Sequence, residues 1–172
     1  ISKQKQLLIN ISVAVFAYGA LGYLGHRLSQ TLGFPDFWDA AVSNHQRFVI
    51  PMVVGSAVGC FLVVVDLLVT PMHDLGALPH PAFPVSILAS ATAGIGEEMI
   101  FRLFFIPFWM WIISRPFKGQ HLERIFWVVT LMSALAFSAG HLPAAPLILD
   151  IESVSEIPAP MMVEIFLLNG AV

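Results

Sequence analysis

Apolar residues gather into five stretches of the chain, and polar residues collect between them. The first stretch, Leu7 to Gly25, follows Lys3 and Lys5. It is long enough to cross a bilayer and too long for a typical signal-peptide core, and no small-residue cleavage site marks it. The second runs from Phe48 to Thr70 and stops at Pro71. The third, Val85 to Ile113, is long for one crossing; it is expected to tilt, or to kink near Pro107, whose ring disrupts a hydrogen bond to the preceding turn. The fourth is Ile125 to His141. The fifth, Met161 to Val172, stops after about 12 residues, too few to span.

The connecting segments have their own chemistry. Phe34 to Phe48 mixes Trp38 and phenylalanines with Asp36, Asp39, His45 and Arg47, which predicts a short helix at the membrane–water boundary with His45 solvated. Pro71 to Pro84 reads as a loop punctuated by Gly76, Pro79 and Pro81, with His73 and His80 as exposed loop histidines. Arg115, Lys118 and Arg124 mark a basic loop, and Pro143 to Pro160 an acidic connection with Asp150, Glu152 and Glu156. Gly19, Gly22 and Gly25 predict a flat strip for close helix contact, and Gly55 with Gly59 forms a GxxxG. Asp66 lies about a turn from the end of the second span, within reach of the interface. His26 and His121 flank spans as interface residues.

Composition turns these stretches into membrane spans. The chain is 58% hydrophobic and 11% charged, with a mean hydropathy of +0.83, whereas soluble domains carry about 25% charged residues. The expected fold is all-α: a polytopic transmembrane helix bundle forming one integral, multi-pass domain over residues 1–172, with membrane lipid around it. The absence of an initiating Met and the short fifth stretch lead to the expectation of a fragment. A net charge of −3 gives no electrostatic footprint for nucleic acid. Cys60, the single cysteine, sits in an apolar run and is expected as a small buried hydrophobe. With alternating spans, Arg27, Arg47, Arg115, Lys118 and Arg124 fall on one side, the cytoplasmic one by the positive-inside rule, and Lys3 and Lys5 on the other.

The chemistry concentrates in Ala93-Gly-Ile-Gly-Glu97-Glu98-Met-Ile-Phe-Arg102, inside the third span. A charge at the bilayer centre costs about 2.5–3.5 kcal/mol on insertion scales, so such residues usually face a polar cavity and do chemistry or transport. Glu98 and Arg102 are spaced i,i+4 on one helix face and can pair. Glu97 lies roughly 100° around the helix, so that pairing leaves it for another task. A second constellation, Phe137-Ser-Ala-Gly-His141, closes the fourth span. Antiparallel third and fourth spans would bring Glu97 and His141 to one side, where a carboxylate and an imidazole can together activate water.

Glu97-Glu98-Met-Ile-Phe-Arg102 resembles the EExxxR signature of the CAAX protease and bacteriocin-processing family, also called the abortive-infection family. Phe137-Ser-Ala-Gly-His141 resembles its second signature, FxxxH. The resemblance covers roughly Pro79 to Val172, with residues 85–172 as a partial catalytic core. It implies an intramembrane endopeptidase hydrolysing a peptide bond of a membrane-associated peptide or lipidated protein, of the CAAX type or the bacteriocin and self-immunity type. By that analogy Glu97 is the general base on water and His141 assists it, while Glu98, Arg102 and Phe137 support the site. The family's later signature, a His followed four positions on by Asn or Asp, is not matched within the sequence. Those residues are thought to form the oxyanion hole, and losing one such donor typically costs 10²–10³-fold in rate, so an inactive fragment is also an expectation.

Other readings remain open at this stage. The acids and Arg102 could form a buried ion network without catalysis. Glu97, Glu98 and His141 could bind zinc with one further ligand, although no HExxH is present. A catalytically inactive scaffold or immunity protein, or a proton-coupled transporter, would use the same residues differently.

Overall fold

The computed structural model describes residues 2–76 and 81–171, and among them the chain is helical and without strands. Pro79, His80 and Val172 lie outside the described residues. Helix runs through Lys3–Thr31, His45–Met72, residues 85–114, Leu122–Leu149 and Ala159–Gly170. The first, second and fourth of these are long and apolar enough to cross a membrane, and the fifth is a shorter apolar helix. The third matches them in length but carries Glu97, Glu98 and Arg102 along its middle. Large apolar side chains such as Leu8, Leu67 and Leu131 stand exposed on these helices, as lipid-facing side chains do.

The chain divides into two compact units, each described by itself: Ile1–Asp36 with Ala82–Ser133, and Phe37–Pro81 with Ala134–Val172. In the first unit the first helix lies along the third. A Cβ placed on Gly25 would overlap the Leu103 carbonyl, and one on Gly22 would touch the Leu103 and Met99 side chains. The sequence strip is therefore real at Gly22 and Gly25, where small residues let backbones approach. It does not extend to Gly19, where a Cβ would meet nothing within 4 Å. Behind this contact Met110, Ile125 and Val129 form a core with Leu32, Phe34 and Trp109 against it.

The third helix departs from regular α geometry over Glu98–Phe105, which is a π-helix, before α-helix resumes at Ile106 with Pro107 in its first turn. The expected irregularity is thus placed upstream of Pro107. The physical reason is the missing N–H: proline cannot bond the carbonyl four residues before it. That carbonyl belongs to Leu103, the group Gly25 packs against.

In the second unit the second helix packs on the fifth. Ala145, Ile157, Met161 and Ile165 form its core, with Leu75, Leu142 and Leu149 against them. The Ser138 hydroxyl is buried 2.9 Å from the Ala134 carbonyl and 3.3 Å from the Phe166 carbonyl, tying the fourth helix to the fifth.

Several expectations are corrected. Cys60, expected to be buried, is exposed on the second helix, as its apolar neighbours there are. Residues 34–43 are turns rather than an interfacial helix: Gly33 at φ 81 ends the first helix, Pro35 follows, and the Asp39 carboxylate accepts from the Ala41 N–H, the local bonding that favours turns over helix. Helix does not stop at His141 but continues through Leu142–Ala144 and Ala145–Leu149. Pro143 and Pro146 allow this because each stands at the start of a new turn, where no N–H is required. Part of the acidic connection is therefore helical. At Gly55 and Gly59 a Cβ would meet nothing within 4 Å, so among the described residues the GxxxG makes no close contact. His73, expected in an exposed loop, is buried: its side chain is 1% exposed and its Nε2 lies 3.6 Å from Glu164 Oε2.

Candidate active site

The two neighbouring acids of the third helix do different things. Glu98 Oε1 lies 3.0 Å from Arg102 Nη1, one turn on. Glu97 instead lines an open groove of about 560 Å³, together with Tyr18, Ala89, Thr92, Ala93 and Gly96. The groove exists because residues 86–96 are mostly small, and helical periodicity stacks Ala89, Thr92, Ala93 and Gly96 on one face. Glu97 is thus the carboxylate of a mostly apolar slot, and Glu98 points its charge at a guanidinium.

Phe137 and His141 meet one turn apart on the fourth helix. His141 Nδ1 lies 2.9 Å from the Phe137 carbonyl oxygen, and the two rings stand edge to face at 4.6 Å. A carbonyl only accepts, so Nδ1 carries the hydrogen and the neutral ring presents Nε2 as its acceptor nitrogen. Phe137 therefore fixes both the tautomer and the tilt of the imidazole.

Glu97, Glu98 and Arg102 belong to the first unit, and Phe137 and His141 to the second. The structure brings together the members of each signature. Among the described residues no group of three or more His, Cys, Asp or Glu is placed to hold a metal ion.

Sequence reasoning missed Tyr18. Its hydroxyl lies 3.3 Å from where a Cβ on Gly96 would stand. The signal was present: Tyr18, Gly22 and Gly25 fall at i, i+4 and i+7 on one helical face. It also undervalued His73, whose partner Glu164 is far along the chain. Asp66 stands near enough to Glu164 for its charge to act there, and Asp66 Oδ1 and both Glu164 oxygens are buried without a hydrogen-bond partner.

With these geometries in hand, the comparison with known families is decisive. A sequence model described as Type II CAAX prenyl endopeptidase Rce1-like matches residues 79–170, more than half of the chain and both signatures. The chain belongs to the Rce1-like family. No match was found among curated proteins, nor among solved structures. At family level an Rce1-like protein is a CAAX-type intramembrane protease, membrane-embedded and acting on peptides. The matched segment contains Glu97, Glu98, Arg102, Phe137 and His141, whereas Tyr18 lies outside it.

Proposed function

We propose that this Rce1-like protein is a glutamate-dependent intramembrane endopeptidase. Glu97 takes a proton from a water as that water attacks a peptide carbonyl, and His141 assists through Nε2. The substrate is a membrane-associated protein or peptide of the CAAX type. Glu98 and Arg102 hold the third helix and its charge in place, and Phe137 orients His141. The observation that carries this reading is the division of labour between the acids: Glu98 is held by Arg102 at 3.0 Å, and Glu97 opens on the groove. General base catalysis needs a carboxylate within reach of both water and substrate, and a carboxylate that lines an open, mostly apolar slot suits that task.

Proximity of Glu97 to His141 is part of the proposal. The two signatures sit on successive helices joined by the short segment 115–121, which supports it. The test is to reconstitute the full-length protein in liposomes with a prenylated CAAX peptide and look for the released C-terminal tripeptide by mass spectrometry. Release supports the proposal. Proton-coupled flux without any cleavage would replace it with the transporter reading.

A further inference from the structure

The groove that Glu97 lines has one polar side chain from outside the family-matched segment, and that is Tyr18. Its position is set on both sides. Gly96 has no Cβ, and a Cβ there would stand 3.3 Å from the Tyr18 hydroxyl, so glycine at 96 is what lets the phenol reach this wall. Gly22, one turn on, seats the same helix against Leu103 and Met99.

The backbone is irregular at this place in both helices. Ala14–Tyr18 is a single π-helical turn that ends at Tyr18. The π-helix of the third helix begins at Glu98, directly after Glu97. Such turns are rare and occur frequently at functional sites, because the extra residue re-aims the side chains beside it. Here they lie beside Tyr18 and Glu97, two groove residues that can exchange hydrogen bonds with a polar ligand.

An extended peptide in this slot would find aliphatic and small side chains along most of its length. Its main-chain carbonyls would otherwise go unpaired, which is costly in a dry environment. A phenol donates one O–H while its ring remains at home among apolar groups. We propose that Tyr18 is a substrate-binding residue whose hydroxyl donates to a main-chain carbonyl of the peptide lying in the groove beside Glu97. The inference rests on the groove being the substrate site of the proposed endopeptidase, and it gives the first helix a part in the reaction.

The experiment uses the full-length protein in liposomes and an internally quenched, prenylated CAAX peptide as probe. Two quantities are read: steady-state cleavage, and equilibrium binding of the same peptide to the Glu97→Gln protein. Tyr18→Phe, which removes one oxygen, is expected to raise KM roughly three- to tenfold, with kcat within about twofold. It should weaken binding to the Glu97→Gln protein by the same factor. Gly96→Ala, which crowds the phenol, should shift KM in the same direction. Tyr23→Phe, on the same helix but away from the groove, should change nothing, and the melting temperatures of both phenylalanine variants should equal the wild type's. Unchanged KM and unchanged binding in Tyr18→Phe would overturn the inference while leaving the Glu97 reading intact. Full cleavage by Glu97→Gln would instead overturn the base assignment, and the binding measurement would still decide Tyr18.

Discussion

Glu98 is bound to Arg102 at 3.0 Å, and Glu97, its neighbour in sequence, faces the groove. Adjacent side chains on a helix point about 100° apart, and the Arg102 guanidinium stands one turn on from Glu98.

A double-mutant cycle tests this pairing. Glu98→Gln and Arg102→Met should each lower the melting temperature of the protein in detergent. The double variant should lose less than the sum, with a coupling of about 0.2–1 kcal/mol for a half-exposed pair. Additive losses would show that the pair does not act as one.

Gly25 should tolerate no side chain. Its Cβ position overlaps the Leu103 carbonyl, so Gly25→Ala must push the first helix off the third, at a cost of about 1–3 kcal/mol. Gly19→Ala, with nothing within 4 Å, is the control and should leave the melting temperature unchanged. Equal effects at the two positions would contradict the packing described.

The imidazole of His141 depends on Phe137 for its tilt. Phe137→Ala removes the ring 4.6 Å away but keeps the carbonyl that fixes the tautomer. Activity should therefore fall, by roughly tenfold, and less than the 10²–10⁴-fold range expected when an acid–base group itself is lost, as in His141→Ala. Matching losses in the two variants would mean that Phe137 does more than orient.

His73 and Glu164 form a buried contact in the second unit, each side chain 1% exposed. His73→Ala should destabilise the protein by about 1–3 kcal/mol, because it leaves a buried carboxylate without the imidazole that stands 3.6 Å from it. The loss is read from thermal or denaturant unfolding. No change in stability would mean that the contact contributes nothing.

The legible parts of this molecule are those set by local sequence. Long apolar stretches announce the helices of the second and fourth spans, and the i,i+4 spacing announces the Glu98–Arg102 pair. Gly22 and Gly25 announce a helix contact, but not which backbone they meet. Features that depend on distant partners were not legible. His73 reads as an exposed loop residue because Glu164, which covers it, lies on another helix. The continuation of helix past His141 turns on Pro143 and Pro146 each falling at the start of a turn, a matter of register rather than composition. The π-helix at Glu98–Phe105 follows from Pro107 and from the close approach of Gly25, and only the first of these is a sequence signal. Tyr18 was overlooked because a lone tyrosine in an apolar span has an ordinary explanation until Gly96 is seen beside it.

The central claim is that Glu97 is the base. The most direct test is kcat for Glu97→Gln on a prenylated CAAX peptide in liposomes, compared with wild type at equal protein and equal folding. Glutamine keeps the shape and removes the proton acceptor, so the predicted result is a fall of about 10²–10⁴-fold in kcat, with peptide binding retained. A kcat within a few fold of wild type would contradict the account.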